Sequence, residues 1–440
     1  MSVLENDVIE KVLRDAKVRG RSLRRRRRAF SLSLVSALAL GTSAVVVLVA
    51  TVGQSSGPGG GVASGGSAPT AYVFGPNGTD VTPIDTATNA SGRAIVLQES
   101  PGSVGHLTDM AITPNGKTAY VANATSSRNA GSVTPIETAN NRAGSAIPMG
   151  GFADTLVVAP NGKTVYVLVS ATTGPVRVVP IDTSDNSAGR PITLPGTRFN
   201  VPWGDEPLAI TPNGRTLYVA VVLDTGAGAV IPIDTVTNTA GPAIETGLRP
   251  IDIAITPNSA FAYVLCYRRG KDSSRVTDEV FPIVTSSNSL GRGIPVGETM
   301  NGLTMAPDGK TVYVPTMTGL TMITVATDTP RSTLKGVAVR TMTISPNGKL
   351  AYLVTEAFGV FGSTFGGDTV VPLNLAADSA GKAIPTGSAG AYEVTFAPDG
   401  KTAYISNLDS DTVTPIDTAT NTLGRPIKVQ AGPAVIVVAP

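Results

Sequence analysis

Apolar residues in this chain come in short runs broken by turn residues, and the same arrangement returns many times. The stretch "AITPNGKTAYVAN" (Ala111–Asn123) is an apolar run, a Pro-Asn-Gly corner and a second apolar run. Its variants turn at Pro114, Pro160, Pro212, Pro257, Pro307, Pro346 and Pro398, spaced 39 to 52 residues apart. Pro presets φ at the first corner position, Asn or Asp tolerates the next, and Gly accepts φ > 0, so each corner predicts a tight hairpin. Val, Thr, Ile and Tyr on both sides supply strand propensity. A second marker follows each corner, as in "TPIETANN" at Thr134, "VPIDTSDN" at Val179 and "TPIDTATN" at Thr414. It also stands at Thr82 without a corner of this kind before it, which makes eight markers against seven corners. A third marker such as "AGKAIPTG" or "LGRPIKVQAG" comes after most of them. Each copy therefore predicts four short strands: two around the corner, one from the "PID" stretch and one from the "RPI" stretch.

Four strands with a period near 40–50 residues are the signature of a propeller blade. Prolines inside the third and fourth strands suit outer positions, at or near a sheet edge. The mismatch between eight and seven resolves at the ends. "TAYVFG" (Thr70–Gly75) lacks the strand and corner before it, and "AVIVVAP" (Ala434–Pro440) is a first strand that stops at the corner proline. Joined, they complete an eighth blade and leave no open edge. The expected fold is all-β: a single propeller over residues 70–440 with eight four-stranded blades, closed by pairing of N- and C-terminal strands. Seven blades is the fallback, because the copy at Thr321–Val337 is degenerate.

The segments "KTAYVAN" with "GSVTPIETANN", and "KTAYISN" with "DTVTPIDTATN", resemble the YVTN-type propeller repeat of bacterial and archaeal surface proteins. The resemblance covers nearly all of residues 70–440. It implies a surface location and a propeller, and leaves function open, since the motif encodes hairpins and blade packing. Proteins similar in fold include uncharacterised surface proteins, periplasmic DNA-binding propellers, lactonases and propeller domains of redox enzymes. A WD-type propeller does not fit a chain whose one tryptophan is Trp203.

The front of the chain has another character. Residues 1–28 carry ten Lys/Arg and four Asp/Glu, so the formal net charge of +2 hides a basic tail on a mildly acidic body. Residues 29–53 ("AFSLSLVSALALGTSAVVVLVATVG") then contain no charge. About 20 apolar residues span a bilayer, and the arginine block before them keeps the N-terminus in the cytoplasm. The expected organisation is a basic cytoplasmic tail (1–28), an uncleaved transmembrane signal-anchor helix (29–53), a Gly/Ser-rich linker (54–69) and the propeller (70–440). The alternative is a cleaved signal peptide, disfavoured by the long charged region and the lack of a small-x-small cleavage site. This places the protein in the plasma membrane, single-pass, with the propeller extracytoplasmic. A mildly acidic body argues against nucleic acid as a partner, and a monomer is expected.

Most catalytic kits are missing. One histidine (His106) and one cysteine (Cys266) cannot build a His/Cys zinc site, and Cys-x-x-Cys-His and phosphate-loop patterns are absent. Gly-x-Ser-x-Gly occurs once, at Gly53–Gly57, inside the linker where no strand-to-helix turn exposes Ser55. His106 reads as a hydrogen-bonded loop residue ahead of an inner strand, and Cys266 as a small buried hydrophobe.

Two surfaces are left for function. Five or six places before the corner prolines stand Asp109, Asp154, Glu206, Asp252, Asn301, Arg340 and Glu393, each at the start of an inner strand. Their convergence on the channel mouth would offer a ligand or a hard cation such as Ca²⁺ several oxygens. The alternative is that these are solvated loop acids, which Arg340 favours. The second surface is the set of variable loops on the same face, with Phe199, Trp203, Tyr267, Arg268, Phe358, Phe361 and Phe365 as packing plugs or partner anchors. The leading expectation is a membrane-anchored module that binds a protein or small-molecule ligand through loop face and channel mouth, with no cofactor and no catalysis of its own. The alternatives are a metal-dependent lactonase-like hydrolase using the mouth carboxylates, and a structural cell-surface spacer.

Overall fold

The computed structural model describes residues 69–75, 78–97, 105–125, 131–170, 174–196, 207–268, 277–300, 302–356, 369–387, 390–430 and 432–440. The basic tail, the anchor and nearly all of the linker lie outside them. Among the described residues no helix is long and apolar enough to cross a membrane.

The described chain is an all-β propeller of eight sheets, each running in order from an inner to an outer strand. The inner strands are Gly105–Ile112, Phe152–Val158, Leu208–Ile210, Arg249–Ile255, Thr304–Met305, Ala338–Ile344 and Ala391–Phe396 for blades 1 to 7, and Val435–Val438 for blade 8. Blade 8 is the composite one: Val435–Val438 pairs antiparallel with Thr70–Phe74, Ala71 facing Val438 and Phe74 facing Val435. The degenerate copy is a complete blade 5, with Gly319–Thr324 and Thr329–Thr333 as its third and fourth strands. That sets the count at eight.

The corners take the expected form. In blade 1 Gly116 N–H donates to Thr113 O at 2.8 Å, and Gly116 has φ +69°. A side chain there would be strained, and its Cβ would stand 3.5 Å from the Pro440 ring of blade 8, so corner packs on corner across the closing seam. One detail departs from the expectation. The fourth strand is usually broken into two short pieces, as in blade 8, where Ala90–Ser91 and Ile95–Val96 both pair with the third strand. The break holds the Gly of the third marker: Gly92 N–H donates to Pro83 O, and a Cβ on Gly92 would lie 3.1 Å from the Pro83 ring. The proline that removes a ladder donor is thus covered by a glycine with no side chain.

Side chains from facing blades fill the space between sheets, as where Leu168 and Val178 of blade 2 meet Leu217 and Ile231 of blade 3. The repeated Tyr of the second strand runs through each such layer. Its hydroxyl reaches the turn residue at positive φ in the next blade: Tyr72 to Asn141, Tyr120 to Asn186, Tyr166 to Asn238, Tyr218 to Asn288, Tyr263 to Asp328, Tyr352 to Asn421 and Tyr404 to Asn89, at 2.6–3.0 Å. Asn tolerates the left-handed conformation and supplies the acceptor. Tyr404 to Asn89 carries this girdle across the closing seam. At blade 6 the corresponding Asp378 pairs with Arg331 of blade 5 instead.

Candidate functional site

The strand registers put one face of the ring in order. Gly105 pairs with Thr125 and Ala124 with Gly131, so the inner strand begins where the second strand ends and the third begins. The same holds in blade 4, where Arg249 pairs with Tyr267 and Cys266 with Glu279. The inner-strand starts and the connections between second and third strands therefore share a face, opposite the corners, as expected.

At that face the inner strands of blades 1, 2, 4, 6 and 7 each carry a β-bulge. The bulge divides the candidate channel-mouth residues into two sets. Asp109, Asp252 and Glu393, five residues before their corner prolines, stand just past the bulge. Asp154 and Arg340, six residues before, are the bulged residues themselves. Glu206 and Asn301 lie outside the described residues.

The first set ties blades together. Asp109 Oδ1 accepts from Met110 N–H at 2.7 Å in its own blade, while Oδ2 accepts from Leu156 N–H at 2.8 Å and the Thr155 hydroxyl at 2.7 Å in blade 2. Asp252 repeats this between blades 4 and 5, Oδ1 taking Ile253 N–H at 2.7 Å and Oδ2 taking Leu303 N–H at 2.6 Å. Glu393 of blade 7 accepts from Ile436 N–H of blade 8. The inner strand of a blade is a sheet edge, and its N–H groups need acceptors from somewhere; these carboxylates supply them. Burial raises all three carboxyls above the ordinary range, Asp252 to about 7, while the N–H donors pull the other way.

These acids do not gather at one point. Asp109 and Glu393, on either side of blade 8, influence each other electrostatically, and Asp252 stands on blade 4. Among the described residues no three His, Cys, Asp or Glu side chains form a group that could hold a metal ion. Arg340 is 4% exposed, with its guanidinium 4.4 Å from the centre of the Tyr392 ring, a distance at which the cation is held by the ring face. Its charge also acts on Asp409.

Of the loop candidates, Tyr267 ends the second strand of blade 4 half-buried, and exposed Arg268 pairs with Glu279 at 2.6 Å. Phe199, Trp203, Phe358, Phe361 and Phe365 lie outside the described residues. His106 is not ahead of the inner strand but inside it, paired with Ala124. Cys266 is buried, and burial pushes its thiol up to about 12. One tie has no counterpart among the sequence-based expectations: Asp278, at the start of a third strand, accepts from Arg268 N–H and from Thr299 N–H and hydroxyl. Two turn and strand asparagines are engaged internally, Asn89 with Tyr404 and buried Asn123 with Ser132.

No protein-family model matches the chain, and no curated protein matches its sequence. Solved structures do match in fold. Dihydro-heme d1 dehydrogenase NirN in complex with DHE is similar with TM-score 0.66 at 16% identity, over 86% of this chain and 77% of that one. The hydrazine synthase of Kuenenia stuttgartiensis is similar with TM-score 0.51 at 18% identity, over 72% of this chain and 92% of that one. A eukaryotic initiation factor is similar with TM-score 0.50 at 12% identity, over 82% of this chain and 85% of that one. At such identities the likeness concerns the fold alone.

Proposed function

We propose that this chain is a YVTN-type surface propeller, anchored in the plasma membrane through residues 29–53, that binds a protein or small-molecule ligand on its loop face and carries out no catalysis itself. The observation that supports this reading is the division of labour between repeated and unrepeated residues. The repeated Tyr, Asn, Thr, Pro and Gly residues join strands and blades, and so do the acids Asp109 and Asp252, whose four oxygens all accept hydrogen bonds. The variation between copies is concentrated in connections whose ends meet on one face, and that is where recognition has room to diverge. Two fold relatives are named as enzymes, but chemistry belongs to sites rather than folds.

Thermal-shift titration of the full-length, detergent-solubilised protein with Ca²⁺ tests the non-catalytic half of the reading. No saturable shift is expected. A saturable shift that disappears in Asp252→Asn would favour the hydrolase reading. Carbonate extraction of membranes tests the other half: the protein is expected in the pellet, and release into the supernatant would end the anchor proposal.

A further inference from the structure

The three inter-blade acids are not equivalent. Asp109 and Asp252 each present both carboxylate oxygens to N–H groups of two blades. Glu393 takes the N–H of Ile436 and, at 3.5 Å on Oε1, the Thr395 hydroxyl, while its buried Oε2 has no hydrogen-bond partner. The residue is 2% exposed. A bare carboxylate oxygen in such a place is far costlier than a neutral carboxyl.

Among the described residues no Lys, Arg or His charge is seen to act on Glu393. Blade 8's Val435–Val438 has no ionisable group. From blade 1 comes Asp109, whose negative charge further opposes ionisation. The second strand of blade 7 contributes the Ser406 hydroxyl, which accepts from Glu393 N–H and donates to Ala434 O. From blade 6, Arg340 lies over Tyr392 and acts on Asp409, and Tyr352 stacks on Phe396, 5.2 Å between ring centres.

We propose that Glu393 is a proton-dependent latch between blade 7 and the ring-closing strand Val435–Val438. Neutral, it accepts from the Ile436 N–H and leaves no charge buried. Ionised, it buries an unpaired carboxylate oxygen against the charge of Asp109, and the seam between blades 7 and 8 loosens relative to blade 3. Burial raises the Glu393 carboxyl well above its ordinary 4.5. When the seam opens and water reaches it, the group returns toward that ordinary value, so the open state binds fewer protons. The latch is therefore fully effective below 4.5 and is lost as pH rises through the raised value. Opening grows by up to about tenfold per pH unit inside that window and levels off above it.

Hydrogen exchange on the full-length protein between pH 5 and 9, corrected for intrinsic rates, tests this. The Ile436–Val438 amides are compared with the Leu217–Val221 amides of blade 3, where Pro207 occupies the acid's place. In wild type the protection of Ile436–Val438 should fall about tenfold or more relative to blade 3. Glu393→Gln keeps an acceptor for Ile436 and cannot ionise, so its relative protection should stay flat. Wild-type protection that is flat, or a Gln variant that follows the wild-type slope, overturns the proposal. So does a slope that vanishes in Asp109→Asn but survives in Glu393→Gln, because the proton then belongs to Asp109. Should the variants fail to fold, carboxyl NMR of wild type labelled with ¹³C-glutamate decides: one glutamate must titrate well above the others, and a uniform set near 4.5 refutes the latch.

Discussion

A carboxylate one residue past the inner-strand bulge meets two backbone N–H groups at once, one from each of two blades. Asp252 is an example. Asp252→Asn turns an amide NH₂ toward either Ile253 N–H or Leu303 N–H, leaving a buried donor unsatisfied at a cost of about 1–3 kcal/mol in urea unfolding. The pH dependence is separable from that loss. Folded Asp252 holds its proton to about 7 against an ordinary 3.8, so the unfolded chain binds fewer protons between those values. Wild-type stability should therefore decline across pH 4 to 7, and the Asn variant should decline less steeply over the same range. The tyrosine girdle gives a smaller residue-scale effect. Tyr218→Phe removes the hydroxyl bonded to Asn288 at 2.6 Å and should cost about 0.5–1.5 kcal/mol. Tyr313→Phe should cost less, because Arg331 already holds Asp378 in the next blade.

Single elements rely on close approach of glycine to proline. A Cβ on Gly424 would fall 2.8 Å from the Pro415 ring, while Gly424 N–H donates to Pro415 O. Gly424→Ala should force the split fourth strand away from the third at about 1–3 kcal/mol, read as a lower urea midpoint with an unchanged m value. This scale also explains what the sequence could and could not reveal. Strand number, corner geometry and the composite eighth blade follow from local turn chemistry and a repeating period, so they were legible. The acid ties were not, because the bulge inserts one residue and "five or six before the proline" merges two different environments. Asp109 and Asp154 look alike along the chain, yet only Asp109 stands where both oxygens meet N–H groups of two blades. The pairing of Tyr120 with Asn186 was hidden for another reason: a period read within one copy says nothing about which copy answers which. The loop candidates Phe199, Trp203, Phe358, Phe361 and Phe365 fall outside the described residues, and their roles rest on the sequence alone.

At the scale of the molecule, the ring depends on four residues from its far end. Val435–Val438 are all buried, and burying such side chains is worth about 1.5–3 kcal/mol each. Their sum is comparable with the net stability of a typical domain, about 5–15 kcal/mol. A chain lacking residues 435–440 should fail to close, and limited proteolysis should cut it first in blades 8 and 1. The same composite blade also matters in time. Thr70–Phe74 leaves the ribosome first among the described strands, and its partner begins 361 residues later, from 435 minus 74. At roughly 5–20 residues per second, an apolar strand edge waits some 20 to 70 seconds, on the order of a minute, for its neighbour to be made. Synthesis, more than the finished ring, is when this protein is most exposed to aggregation.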